Sequence, residues 1–143
     1  MLKLIPALIT PEMLAALAAM GHGDEVALVD AHFPAARLAS SAVLVRTPGL
    51  QTPQLLRAVL TLLPLDDFGP DCAWSMEVVG QPEAQPQAVV ELRQVLAEQD
   101  CGLARLERFA FYERARQAQL LVQTGDQRKY ANVLLRKGVI AQD

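Results

Sequence analysis

Met20 to Ala35 reads MGHGDEVALVDAHFPA, which sets two histidines, three carboxylates and two glycines around one apolar run, Val26–Val29. Such a run, bounded by ionisable groups, is expected to be a buried strand with chemistry at both ends. At its amino end, His22 stands between Gly21 and Gly23. Glycine lets the backbone bend sharply and keeps β-carbons away from a ligand. A helix ending at Gly21 would aim its negative dipole end at the imidazole, favour the charged form and raise its pKa towards that of a useful proton donor. The plainer alternative is a turn histidine facing solvent. At the carboxyl end, Asp30 follows four apolar residues. Its carboxylate should be held near the sheet, able to accept hydrogen bonds from hydroxyls or to orient an imidazole; a turn-capping aspartate is the alternative. His32 could reach the same place or make a structural hydrogen bond. Asp24 and Glu25 fit capping or surface roles better than chemistry.

Two further segments carry suitable side chains. Arg108 precedes Phe109-Ala110-Phe111-Tyr112-Glu113. Its five fixed donors suit an oxygen-rich ligand, and the aromatic faces suit C–H groups, although an arginine beside a helix is more often a surface or ion-pair residue. Tyr112 could add a phenol. Tyr130-Ala131-Asn132 offers a phenol and a carboxamide, which together address hydroxyls as donor and acceptor; a half-buried anchoring tyrosine is the alternative. His22, Asp24, Asp30 and His32 could in principle hold a divalent ion. Their spacing matches no H-E-x-x-H type of signature, and there is no G-x-S-x-G elbow or glycine-rich phosphate loop.

The elements that must position these groups are legible in outline. Thr10-Pro11-Glu12 marks a helix start, with Met13, Leu14, Leu17 and Met20 as its apolar stripe and Gly21 expected to end it in the left-handed conformation. Ala42–Val45 reads as a second strand. Thr52-Pro53 repeats the cap-and-proline signal and opens a helix running to Leu63 and stopped near Pro64. Trp74, Met76 and Val78 alternate with Ser75 and Glu77, so 73–79 reads as a strand, and Gly80 to Gln87 as a loop. A helix over Val89–Ala97, a short strand near Arg105–Arg108, a helical FYERARQA segment and strands at Leu120–Val122 and Val133–Leu135 complete the chain. Strands alternating with helices predict one α/β domain, a three-layer α/β/α arrangement with a largely parallel sheet.

Composition sets the outer bounds. At 143 residues the chain is one domain long, and its 52% hydrophobic content is high for a globular protein. Either the core is generous or an apolar surface is closed by a partner subunit. With 20% charged residues it is not disordered, and a net charge of −3 offers nothing to a phosphate backbone, so no nucleic acid is expected. Arg128-Lys129 and Arg136-Lys137 read as solvated or subunit-facing pairs. Cys72 and Cys101 lack C-x-x-C spacing and fit free, half-buried thiols in a reducing cytoplasm. The apolar amino terminus superficially suggests a signal peptide, but Pro6 and Thr10-Pro11-Glu12 interrupt it, and no run approaches the roughly 18 apolar residues of a membrane span.

Met20–Ala35, FAFYERA at 109–115 and KYAN at 129–132 together resemble the L-fucose mutarotase family, sisters of the D-ribose pyranases. The resemblance starts near residue 1, implying no cleaved leader, and is loose over residues 37–100. It implies interconversion of sugar anomers by acid/base ring opening and reclosure, without metal or cofactor. It also implies His22 as proton donor, with Tyr112, Tyr130 or Asp30 as its counterpart. Asp30, Arg108, Tyr130, Ala131 and Asn132 are the implied sugar-binding residues. Alanine at 131 stands where glycine is also common, which leaves the sugar preference open. Ring-like homodecamers with sites where subunits meet are implied as well. Pyranose/furanose interconversion, a sugar-binding module without turnover and a metal-dependent hydrolase remain as alternatives.

Overall fold

Apolar strands alternating with helices need a sheet covered on both faces, and the computed structural model, which describes residues 1–142, has that form. The elements are α1 (Pro11–Ala19), β1 (Glu25–Val29), α2 (Ala35–Leu38), β2 (Val43–Thr47), α3 (Thr52–Leu60), β3 (Ala73–Met76), α4 (Gln87–Ala97), β4 (Ala104–Leu106), α5 (Arg108–Gln117), β5 (Leu120–Thr124) and β6 (Val133–Arg136). One six-stranded sheet has the order β2-β5-β1-β6-β3-β4. Every pairing is parallel except those of β6, which runs antiparallel between β1 and β3. The sheet is therefore largely parallel, as expected, with one reversed strand near its centre.

Period-2 alternation divides the core into two layers. Val26 and Leu28 of β1, with Val133 and Leu135 of β6, pack against Met13 and Leu17 of α1, Leu55, Leu56 and Val59 of α3, and Leu92, Val95 and Leu96 of α4. Ala27, Val29 and Leu134 point the other way, onto Leu38 of α2 and Phe111 and Ala115 of α5. No helix among the described residues is long and apolar enough to cross a membrane.

Several boundaries differ from the sequence reading. Thr10 caps α1 as expected, its hydroxyl accepting from the Met13 N–H at 3.2 Å. The helix ends at Ala19, however: Met20 is already extended, and the left-handed glycine is Gly23 (φ +88°), not Gly21. Thr52 lies inside α3 after an extended Gln51, and the orphan N–H of Thr52 is capped from across the fold by Asp126 at 3.2 Å. Strand β3 stops at Met76, because Val78 and Gln81 close a turn through the left-handed Gly80. β2 runs on to Thr47, and the one-turn helix α2 occupies residues to which the sequence reading assigned no element.

The expected solvated basic pairs are largely tied down. Arg128 donates to Asp126 and Glu91. Arg136 pairs with Glu25 at 3.2 Å, and Glu25 also holds Arg114. Both guanidinium groups lie over the Trp74 ring, that of Arg114 at 3.9 Å and that of Arg136 at 4.9 Å from its centroid. Glu25 is thus an internal ion-pair anchor, while Asp24 does cap, accepting from the Gly21 N–H at 2.7 Å.

Candidate active site

The carboxyl end of β1 opens on a cavity of about 190 Å³, lined by Asp30, His32, Phe33, Met76, Val79, Arg108, Tyr112, Lys129, Tyr130 and Asn132. Asp30 and Asn132 are buried and mutually placed: the Asn132 side-chain oxygen accepts the Asp30 N–H at 2.8 Å, across 102 residues of sequence. Asp30 in turn accepts from the His32 N–H at 2.9 Å. Burial pushes the Asp30 carboxyl above the usual carboxylate range, against the pull of that N–H, the nearby imidazole, Phe33 and Asn132. The His32 ring donates from Nε2 to the Gln127 carbonyl at 2.9 Å, which fixes its tautomer.

Tyr130 adopts φ +67°, a left-handed conformation costly for a bulky residue. That turn carries its phenol to the Val79 N–H, from which the oxygen accepts at 3.2 Å, leaving the phenolic proton to be donated elsewhere. Ala131, next in sequence, is fully buried. Tyr112 packs edge-on against Phe33 and Phe109, at 5.3 and 6.2 Å between centroids. Arg108 lies over Phe109 at 4.5 Å, and its Nε is buried with no hydrogen-bond partner among the described residues. A buried donor without an acceptor costs about 1–3 kcal/mol, which an oxygen-bearing ligand in the cavity would recover.

His22 is not part of this cavity. It lies beyond the amino end of β1, whose five residues at about 3.3 Å each separate it from Asp30 by more than about 13 Å. There its Nε2 meets Asp66 Oδ1 at 3.0 Å, and its ring rests 4.9 Å from that of Phe68. Asp66 is buried and also accepts from the Phe68 N–H at 3.3 Å, while its own N–H donates to the Arg136 carbonyl. The hydrogen bond from His22 holds the Asp66 carboxyl below its ordinary range, outweighing the loss of solvation, with help from the Phe68 N–H and the charges of His22 and Arg136. Asp66 is thus an ionised acceptor, so Nε2 of His22 carries a hydrogen and Nδ1 is the nitrogen left to exchange protons.

The expected pairing of His22 with the end of α1 is not made. The carbonyls of Leu17 and Met20, at the end of α1, accept from the Lys137 ammonium at 3.0 and 2.6 Å. That cation neutralises the helix end, and Asp66 takes over the pairing with the imidazole.

The structure thus brings Asp30, Arg108, Tyr112, Tyr130 and Asn132 together, buries Ala131 outside the cavity lining, and leaves His22 apart. His22 with Asp24 and Asp30 with His32 occupy opposite ends of β1, so they form no single ligand set. Sequence reasoning missed Asp66 and Phe68, for which no local signal exists: Asp66 is 44 residues from His22. It also missed Met76, Val79 and Lys129, although Lys129 adjoins the recognised Tyr130. A larger groove of about 440 Å³ lies between Leu14, Leu17, Leu62, Leu63 and Ile140. Apart from Lys137, already bound to α1, it holds no charged side chain.

A small polar cavity at the carboxyl end of a central strand defines an open α/β-sheet binding protein with acid/base groups at the site. The chain belongs to the RbsD / FucU transport protein family, whose model matches residues 3–140. It is similar to the human protein named fucose mutarotase, with 46% identity over 146 aligned residues covering 98% of this chain and 95% of that protein. The crystal structure of the fucose mutarotase from Streptococcus pneumoniae in complex with L-fucose superposes with a TM-score of 0.90 at 37% identity, covering 98% of this chain and 100% of that one. Bacillus subtilis RbsD complexed with D-ribose shares the fold, with a TM-score of 0.75 at 19% identity over 93% of this chain and 95% of that one.

Proposed function

We propose that this protein is an L-fucose mutarotase that interconverts the α and β anomers of the free sugar, and that it works as a cytoplasmic homodecamer. The observation that carries the reading is the division of acid/base groups between the two ends of β1. The Asp30–Asn132 cavity holds donors, acceptors and a phenol, while the His22–Asp66 pair lies too far away to reach a sugar bound there in the same chain. Each end also exposes an aromatic ring, Phe109 beside the cavity and Phe68 against His22. Contact between neighbouring subunits would cover both rings and bring one chain's His22 to the other's cavity. Exposed Leu2, Leu4, Val139 and Ile140 add apolar surface for such contacts. The similarity to proteins named fucose mutarotase points to L-fucose, and two free thiols fit a reducing compartment.

Mutarotation needs one group to take the O1 proton and another to protonate the ring oxygen. The C1–O5 bond then breaks, the aldehyde forms, the C1–C2 bond turns, and the ring recloses on the other carbonyl face. Arg108 Nε, Asp30 and Asn132 hold hydroxyls. Tyr130, whose oxygen already accepts from Val79, offers its phenolic proton at one position, with Tyr112 as the other phenol in reach. His22 Nδ1 takes the O1 proton as the ring opens and donates it back on reclosure, its ring oriented by Asp66. Each positioned acid or base is worth about 10²–10⁴ in rate.

Saturation-transfer NMR tests the activity directly, because it reports anomer exchange without net product. Exchange of L-fucose should be accelerated more than that of D-glucose at equal protein concentration. No acceleration on L-fucose, or a preference for glucose, would reject the assignment.

A further inference from the structure

Two thiols that the sugar chemistry leaves unused, Cys72 and Cys101, meet with their sulfurs 2.7 Å apart although 29 residues separate them. Both are half-buried, sheltered from bulky reagents yet within reach of a small oxidant. Their positions are set by backbone bonds and not by each other. Cys72 leads into β3, and its carbonyl accepts from the Arg136 N–H of β6 at 3.0 Å. Cys101 follows the end of α4, where Asp100 turns left-handed (φ +54°). The Asp100 N–H bonds to the Ala97 carbonyl and the Cys101 N–H to the Leu96 carbonyl, each at 3.1 Å. That bond pair is a Schellman ending, which fixes the direction of the residue after the turn. The parallel register of β3 and β4, with Trp74 opposite Ala104, brings the start of β3 beside the residues that follow α4, and the turn there carries the Cys101 sulfur to that of Cys72 just upstream of the sheet edge.

We propose that Cys72 and Cys101 are an oxidisable dithiol that a hydroperoxide converts to an intrachain disulfide, locking the sheet edge without stopping the enzyme. In the first step the Cys72 thiol gives up its proton and its sulfur attacks a peroxide oxygen. The O–O bond breaks, the departing oxygen takes a proton, and Cys72 becomes a sulfenic acid. The Cys101 sulfur next attacks that of Cys72: the S–S bond forms, the S–O bond breaks, and the hydroxyl leaves as water with the Cys101 proton. The two thiols together lose two electrons, and the peroxide gains them. Burial, with the neighbouring Cys72 adding to it, pushes the Cys101 thiol up to about 12, so Cys101 keeps its proton until the second step.

The consequence follows from what the pair joins. Cys72 ends the segment that starts at Asp66, and both residues bond to the backbone of Arg136. Because the sulfurs already adjoin, linking them moves that segment little and leaves the His22–Asp66 pair in place. The bond closes a long loop in the unfolded chain, which should raise Tm by on the order of 10 °C.

The test treats the full chain with hydrogen peroxide and follows intact mass, free thiols after denaturation, and Tm before and after dithiothreitol. The expected product has lost two hydrogens and both free thiols, remains a single chain on a non-reducing gel, melts higher and keeps its anomer exchange. Cys72→Ser and Cys101→Ser should instead gain oxygen or cross-link between chains, without the rise in Tm. Alanine at each position repeats the test if serine disturbs the half-buried site. Thiols that survive peroxide, stepwise oxygen addition to the wild type, or cross-linking only between chains would overturn the proposal. So would an equal Tm rise in the single variants, or loss of exchange in the disulfide form. The mass and thiol measurements stand whether or not the protein acts on L-fucose, so failure here is distinguishable from failure of the functional reading.

Discussion

Substitution of Asp66 tests the division of labour between the two ends of β1. The hydrogen bonds from His22 Nε2 and the Phe68 N–H converge on one atom, Asp66 Oδ1, at 3.0 and 3.3 Å. In Asp66→Asn the amide oxygen can occupy that place and accept both, so the imidazole tautomer and the turn survive while the negative charge is lost. A charge-assisted hydrogen bond is roughly twice as strong as a neutral one, a difference worth about tenfold in how firmly the His22 ring is held in place. Exchange of L-fucose should therefore fall about tenfold in Asp66→Asn. Asp66→Ala removes acceptor and charge together and leaves His22 free to turn, so the loss should reach about 10²–10⁴, that of a missing acid/base group. Saturation-transfer NMR over a range of sugar concentrations separates the effects. Turnover should fall in the order wild type, Asn, Ala, with KM little changed, because Asp66 does not line the cavity. Circular dichroism would confirm that each variant is folded. Either variant within about threefold of wild type, or a rise in KM with turnover intact, would refute the reasoning.

Other expectations can be checked alongside. His22→Gln should cost at least about 10²-fold in exchange with the fold intact, and mixing it under subunit exchange with a Tyr130→Phe Asn132→Ala protein should restore part of the activity; a monomer by light scattering would end that scheme, and an oligomer without rescue would place each site within one chain. Asp30→Asn should melt above wild type at pH 7 yet lose sugar affinity: burial raises the Asp30 pKa above 3.8, so the native carboxyl favours folding below that value and loses this contribution as pH rises through its folded pKa, and the advantage of the variant should vanish near the acid end of a pH series of melting curves. Gly125→Ala should destabilise by about 3 kcal/mol in urea unfolding, because a β-carbon there would lie 1.8 Å from the Pro48 carbonyl oxygen.

Much of this protein was legible because its signals are local. The apolar run Val26–Val29 records burial of both faces of a strand, and the Thr10-Pro11 start of α1 and the alternation through Trp74 and Met76 are equally local, so element types and the α/β class follow from them. The polar groups at the ends of β1 were visible for the same reason, since charge beside a buried run has few places to go. Alternation does not say which strands adjoin or in which direction. The antiparallel insertion of β6 between β1 and β3 was unreadable for that reason, and with it the approach of Asn132 to Asp30.

By itself, then, the sequence determined which residues could bind oxygen-rich groups or move protons, and that Asp30 and His22 flank one strand. Tertiary structure decided their partners. His22 was expected to draw on the end of α1, but Lys137 occupies those carbonyls from 117 residues or more away, and Asp66 arrives from 44 residues away to pair with the ring. Arg108 could be read as a surface ion-pair residue until packing buried its Nε without an acceptor. The separation of His22 from the cavity likewise needed the length of β1 in three dimensions, because an extended strand turns residues eight apart in sequence into the two ends of a rigid spacer. Local patterns record what each segment buries. Which charges meet is set by how the buried faces stack, and that is a property of the whole fold.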